Sequence, residues 1–184
     1  MPLQSIKAIG EDVLDNVEIQ TLDSAGRTVD SYVWVDWVSD SECWMNADME
    51  EATGVTFSPG QGLWVFGKNA DQSIQTAGQV ELKDVVVPLR AGASGIGNPF
   101  PITIDLQDII AEGDDVLDNV EIQTLDSAGR TVDSYVWVDW VAENECWMNA
   151  DMEEATGVTI APGQGLWIFG KSSTQSIRFP APEL

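Results

Sequence analysis

DVLDNVEIQTLDSAGRTVDSYVWVDW, residues 12–37, is written a second time as residues 115–140. The copying continues to residues 68 and 171 at a constant offset of 103 (115 − 12). Across this stretch six positions differ: Ser39/Ala142, Asp40/Glu143, Ser41/Asn144, Phe57/Ile160, Ser58/Ala161 and Val65/Ile168. A repeat of this length is a structural unit rather than a motif, and it sets the domain count before any other reading. Inside it, residues 17–22 alternate with period two, residues 23–27 have turn composition, and residues 28–37 are rich in β-branched and aromatic side chains. Together they predict a hairpin. Pro59-Gly60-Gln61-Gly62 then predicts a turn leading into a strand at residues 63–66, and a further strand is expected at residues 73–75. The second copy carries the equivalents at residues 162–165, 166–169 and 176–178.

Helical signals are short. Residues 3–9 and 106–110 each predict a turn or two before Gly10 and Gly113 stop them, and residues 47–52 predict another. None is long enough to build a helical layer. The expected class is therefore mainly β: two tandem, related β-sandwich or β-barrel-like units with short helical turns, related by a pseudo-two-fold. The first unit is placed at residues 1–79 and the second at residues 80–184, of which residues 80–104 form a leader. In the leader, residues 85–89 read as a strand. Gly92, Gly95 and Gly97 read as a glycine-rich turn, and Asn98-Pro99-Phe100-Pro101 as an extended strand entering residues 102–104. It lacks the composition of a flexible Gly/Ser linker. Because it occurs once, the first unit is expected to lack strands that the second possesses. An incomplete β unit has an open edge, and open edges pair with something.

Composition narrows the function classes. The chain has 31 acidic and 8 basic residues, a net charge of −23, and no histidine. Such a charge opposes nucleic-acid binding and suits divalent cations or basic partners. Without histidine there is no Ser-His or Cys-His nucleophile pair and no imidazole ligand. Cys43 and Cys146 stand at the same place in the two copies, too few to build a zinc site within one chain. Burial as small hydrophobes, a disulfide between the two and a functional thiol are the readings open to them. The apolar runs are too short to span a bilayer, and no signal peptide is visible at Met1-Pro2-Leu3.

The order Gly97-Asn98-Pro99-Phe100-Pro101, then residues 105–109, then the strand ending Tyr135-Val136-Trp137, then Pro162-Gly163-Gln164-Gly165-Leu166-Trp167-Ile168-Phe169 resembles a recurrent β domain of bacterial secreted and cell-surface proteins. Those proteins carry a GNPFP or GNPYP segment near the start and PGQGFWV or PGQGLWV near the end, often in tandem. The resemblance covers residues 85–184, and residues 3–79 without the GNPFP segment. It implies an extracellular or cell-surface location and a non-catalytic role, and it supplies no catalytic residues.

Two groups of side chains are candidate binding residues. Asp36, Asp40, Glu42 and Asp48, with Asp139, Glu143, Glu145 and Asp151, make an oxygen-rich stretch in each copy. Calcium takes six to eight hard oxygens and is the one cofactor such a stretch suits, although the EF-hand order is absent. The other reading is a solvated acidic loop. Trp34 and Trp37, with Trp137 and Trp140, lie three apart on a strand and so face opposite sides. One of each pair must be exposed or covered by another element. An exposed one would serve as a sugar platform or a protein-contact anchor. The expected function is a non-enzymatic structural or adhesive protein that associates with itself, or with another surface protein, through β edges. The alternative is a carbohydrate-binding module with one tryptophan-based site per repeat.

Overall fold

The computed structural model describes residues 1–23, 26–36, 41–69, 71–78, 80, 82–141 and 144–182, with the backbone alone at Trp140 and Val141. It is mainly β, and its named strands pair antiparallel throughout. The chain divides into two compact units, Met1–Asp23, Arg27–Pro59, Leu63–Gln79 and Ser24–Gly26, Gly60–Gly62, Val80–Leu184.

The first unit contains β1 (Ile6–Ile9), β2 (Glu18–Leu22), β3 (Thr28–Asp36), β4 (Glu42–Met45), β5 (Leu63–Phe66) and β6 (Ser73–Thr76). They form a four-stranded sheet in the order β4-β3-β2-β5 and a two-stranded sheet β1-β6. Alternation decides which side chains enter the core. Ile19 of β2, Trp34 of β3 and Trp44 of β4 meet Leu3, Ile6 and Phe57 there.

The second unit contains β7 (Val85–Pro88), β8 (Gly92–Gly97), β9 (Ile104–Asp105), β10 (Ile110–Glu112), β11 (Glu121–Leu125), β12 (Thr131–Val141), β13 (Asn144–Met148), β14 (Thr159–Ile160), β15 (Gly165–Gly170) and β16 (Ser176–Phe179). The sheets run β13-β12-β11-β15-β8, β10-β16-β7 and β14-β9. One core draws Ile122, Trp137, Trp147 and Ile168 from the first of these sheets and Ile177 and Phe179 from the second. The leader adds Val85, Leu89, Ile96, Phe100 and Ile104.

Within each repeat the same polar contacts tie the two sheets together. The Trp44 indole N–H donates to the Ile6 carbonyl at 2.8 Å, and the Trp147 indole donates to Ile109 at 2.7 Å. Gln107 brackets Trp147, its Nε2 donating to the Trp147 carbonyl at 2.8 Å and its Oε1 accepting the Trp147 N–H at 3.0 Å. Gln175 is fully buried; its Oε1 accepts the Lys171 N–H and its Nε2 reaches the Asp115 carbonyl at 2.8 Å.

The short helical expectations are met only at their start. Leu3–Ser5 and Leu106–Asp108 are single 3₁₀ turns, after which the chain extends into β1 and β10. The alternation of Ile6 and Ala8 inward with Lys7 and Ile9 outward overrides the helical reading. Gly10 and Gly113 therefore follow strands rather than ending helices. At Gly113, with φ 113°, an added Cβ would lie 2.1 Å from the Thr174 carbonyl oxygen, so only glycine fits. Residues 47–52 form a turn with Met49 at φ 60°, pinned by Asn46 Oδ1, which accepts the N–H groups of Asp48 and Glu50. This local side-chain bonding competes with helix formation.

The leader departs further from expectation. Gly92, Gly95 and Gly97 lie in strand β8, not in a turn, and residues 98–101 do not form a strand, the chain bending at residues 100–102. Glycines tolerate a strand here because large residues of β15 stand opposite them: Gly95 pairs with Trp167 and Ala93 with Phe169.

The two indoles that meet at a steep angle in each core differ in polar state. Trp137 Nε1 is buried without a partner among the described residues, whereas Trp147 Nε1 is satisfied. Trp147→Phe leaves the Ile109 carbonyl without its donor, so it should cost about 1–2 kcal/mol more than Trp137→Phe. Urea unfolding of the two variants checks this, and equal midpoints would count against the assignment.

Candidate functional site

The site is the edge of a sheet, and the second unit shows what such an edge holds when it is filled. There, β15 lies between β11 and β8. Its register with β8 runs from Gly165↔Gly97 to Gly170↔Gly92, with Leu166 opposite Ile96. In the second sheet β16 lies between β10 and β7, with Phe179 opposite Val85. The leader thus adds one strand to each sheet, and five apolar side chains, Val85, Leu89, Ile96, Phe100 and Ile104, to the core.

Both ends of the leader are pinned. Asp84 accepts Arg178 Nη1 at 3.1 Å and the Ala181 N–H at 2.8 Å. At the other end Asn98 is buried, and its Nδ2 reaches the carbonyls of Ile102 at 2.8 Å, Ile160 at 3.0 Å and Ala161 at 3.2 Å. Its Oδ1 accepts the Phe100 N–H at 2.9 Å, and its own N–H donates to the Gln164 carbonyl at 3.1 Å. The segments GNPFP and PGQG, far apart in sequence, are therefore two halves of one lock. Phe100 is buried beside it.

The first unit repeats the sequence of β15 with one change, Val65 for Ile168. Among the described residues β5 ends its sheet next to β2, and β6 pairs with β1 alone. The consequence is visible in side chains of nearly identical sequence. Ile168 is 0 % exposed, and its counterpart Val65 is 42 % exposed. Phe66 is 46 % exposed. Three of the six differences between the copies, Phe57/Ile160, Ser58/Ala161 and Val65/Ile168, fall at or beside the leader's seat. The larger Phe57 adds volume to a core that has no counterpart of Phe100. The β1–β6 pair is more polar than its twin: Lys7 replaces Ile110 and Thr76 replaces Phe179. That edge is adapted to water, whereas β5 keeps its apolar residues.

The residues singled out in the sequence are distributed as follows. Trp34 and Trp137 face the core and are each 3 % exposed, against Trp44 at 5.1 Å and Trp147 at 5.0 Å between ring centroids. Their opposite-face partners, Trp37 and the Trp140 side chain, lie outside the described residues. Asp36 and Glu42 stand directly across from one another on β3 and β4, as do Asp139 and Glu145 on β12 and β13. Like charges so placed oppose sheet pairing. Asp48 and Asp151 are exposed in their turns, and Asp40 and Glu143 lie outside the described residues. Among the described residues no three carboxylates or thiols converge on a point that would hold a metal ion. An open cleft of about 550 Å³ lies on the first unit between β3 and the turn after β4, lined by Thr28, Asp30, Tyr32, Asp48 and Glu51 among others.

Cys43 and Cys146 are free thiols, half-buried on β4 and β13. Burial pushes both thiols up from the ordinary cysteine range, and the nearby Glu51 and Glu154 carboxylates add to the effect. Sequence reasoning missed the Asn98 lock. Its signal was present as GNPFP, but the partners are backbone carbonyls, which no side-chain pattern reveals.

Asn98→Ala removes four side-chain hydrogen bonds and leaves buried carbonyls unpaired, so it should destabilise the second unit by about 2–4 kcal/mol, read by urea unfolding. A midpoint within error of the parent would contradict the lock. Because the thiolate is the reactive form, iodoacetamide should alkylate Cys43 and Cys146 more slowly than free cysteine at pH 8, the rates rising with pH as the thiols ionise. Alkylation as fast as free cysteine at pH 8 would contradict this. Comparison of the chain with protein-family models, with curated proteins and with solved structures returned no match.

Proposed function

We propose that this protein is a non-enzymatic structural or adhesive component of an extracellular or cell-surface assembly. It joins further copies, or another surface protein, through the open edge of its first unit. The observation that carries this reading is the contrast between twin strands. β15 has a strand on each side, and β5 has one on a single side among the described residues. An edge with exposed apolar residues is a template for pairing with another chain. Natural edges are usually blunted by proline, bulges or inward charges, and Leu63-Trp64-Val65-Phe66 carries neither proline nor charge.

Electrostatics sets the conditions. Copies carrying a net charge of −23 repel one another, so association should strengthen as salt screens that repulsion. Calcium would act in the same direction, by screening or by binding between the opposed carboxylates. A contact that does not close on itself would grow into filaments. A second reading, carbohydrate binding, draws on the open cleft lined by hydroxyls and carboxylates on the first unit. Among the described residues no tryptophan lines it, and Trp34 is buried in the core.

Sedimentation velocity over a range of protein concentrations, at about 0.01 M and 0.15 M salt and with calcium, tests the assembly reading. Growth in mass with concentration, greater at the higher salt, is expected. A strict monomer under every condition would remove association between copies, and a glycan-array response would favour the second reading.

A further inference from the structure

We infer that the cleft between β3 and the turn after β4 binds a linear aliphatic polyamine, a methylene chain carrying two or more ammonium groups. The inference does not depend on β5 or on assembly, and it assigns the cleft a ligand other than carbohydrate. The cleft lies wholly within the first unit, and its volume of about 550 Å³ is that of a small-molecule site. Asp30, Asp48, Glu50 and Glu51 line it, and no lysine or arginine does. None of the four carboxylates has an ion-pair partner among the described residues. An independent observation concerns Tyr32, which is 7 % exposed and belongs to the core beside Trp34, yet also lines the cleft. Its hydroxyl makes no hydrogen bond among the described residues, and it is not sealed from solvent as the Trp34 indole N–H is. What remains exposed of the residue opens to the cleft, which leaves an unpartnered polar group at its floor. Burial, and then the Asp30 carboxylate, push this hydroxyl above the ordinary tyrosine range, so it stays a neutral O–H at physiological pH. A neutral hydroxyl can accept from an ammonium while donating to a carboxylate.

The spacing of the charges selects the ligand. Among the described residues no three carboxylates converge on a point that would hold a metal ion. They are spread along two walls instead, Asp30 on β3 and Asp48, Glu50 and Glu51 on the turn that faces it. Ammonium groups spaced along a chain match such a distribution, and a single ion does not. Val29, Ala47 and Val55 also line the cleft and offer the methylenes an apolar surface. Both walls are fixed through their backbone. Asn46 Oδ1 accepts the N–H groups of Asp48 and Glu50 at 3.0 and 2.9 Å, and the Asp30 N–H donates to Thr21 Oγ1 at 3.1 Å. A site ordered before binding loses less entropy when the ligand arrives. Every residue lining the cleft recurs unchanged in the second copy. There Tyr135 is 6 % exposed, and Asn149 fixes Asp151 and Glu153 in the same way. Each copy thus carries the site.

Calorimetric titration of the full chain with spermidine, at fixed ionic strength, tests the inference. Two equivalent, saturable sites per chain are expected. Tyr32→Phe combined with Tyr135→Phe removes two hydroxyls, keeps the net charge, and should weaken binding about three- to tenfold. Loose attraction of an amine to an acidic surface would not respond to that change. Asp30→Asn should weaken one of the two sites about tenfold and leave the other as in the parent. Glu11→Gln removes the same charge from an exposed position outside the cleft and should leave both sites unchanged. N-acetyl-lysine amide, with one ammonium, should bind at least about tenfold more weakly than spermidine. Circular dichroism checks that each variant stays folded. Binding that never saturates, binding indifferent to the loss of both hydroxyls, or equal responses to Asp30→Asn and Glu11→Gln would overturn the inference. So would displacement of spermidine by calcium, one for one at matched ionic strength, which would make the cleft a metal site.

Discussion

A β-strand with a neighbour on one side only leaves half of its N–H and C=O groups without a strand to receive them, and it leaves the core side chains along that edge uncovered. Two nearly identical strands of this chain meet that constraint differently. β15 is enclosed by β11 and β8, and the apolar residues of its inner face are buried. Among the described residues β5 ends its sheet, and Val65 and Phe66 are exposed. Since the two strands differ at a single position, the difference in burial comes from what is packed beside them and not from their own sequence. The leader, whose β8 lies beside β15, accounts for the burial of Ile168.

The leader is held by a division of labour. Backbone pairing of β7 and β8 fixes its direction and register. Leu89, Ile96 and Phe100 supply the burial, which is the larger favourable contribution. Asn98 supplies specificity: a buried amide that satisfies several carbonyls favours one placement, because any other leaves those groups unpaired. Asp84 and Arg178 mark the other end at the surface, where an ion pair contributes little to stability. The first unit has Gln75 where the second has Arg178.

Much of this was legible in the sequence. The duplication, the hairpin of β2 and β3, and the strands β5, β6, β15 and β16 were all predicted by alternation and by the turns that bound them. Three features were hidden for physical reasons. Gly92–Gly97 has the composition of a turn, and only the aromatic residues of a strand distant in sequence make it a strand. Residues 3–9 have helical composition over a single turn, after which pairing with β6 takes over. Asn98 reads as an ordinary turn residue before proline until its carbonyl partners around Ile160 are brought to it. In each case the deciding contact is long-range, and local propensity yields to it.

Amide hydrogen exchange compares the twin strands within one molecule and so tests the central claim most directly. The account predicts that amides of Leu63–Phe66 exchange faster than those of Leu166–Phe169, by about tenfold or more, since opening an edge strand breaks fewer contacts. Equal protection of the two strands in a monomeric sample would mean that the first unit completes its sheet by itself, and would contradict the account.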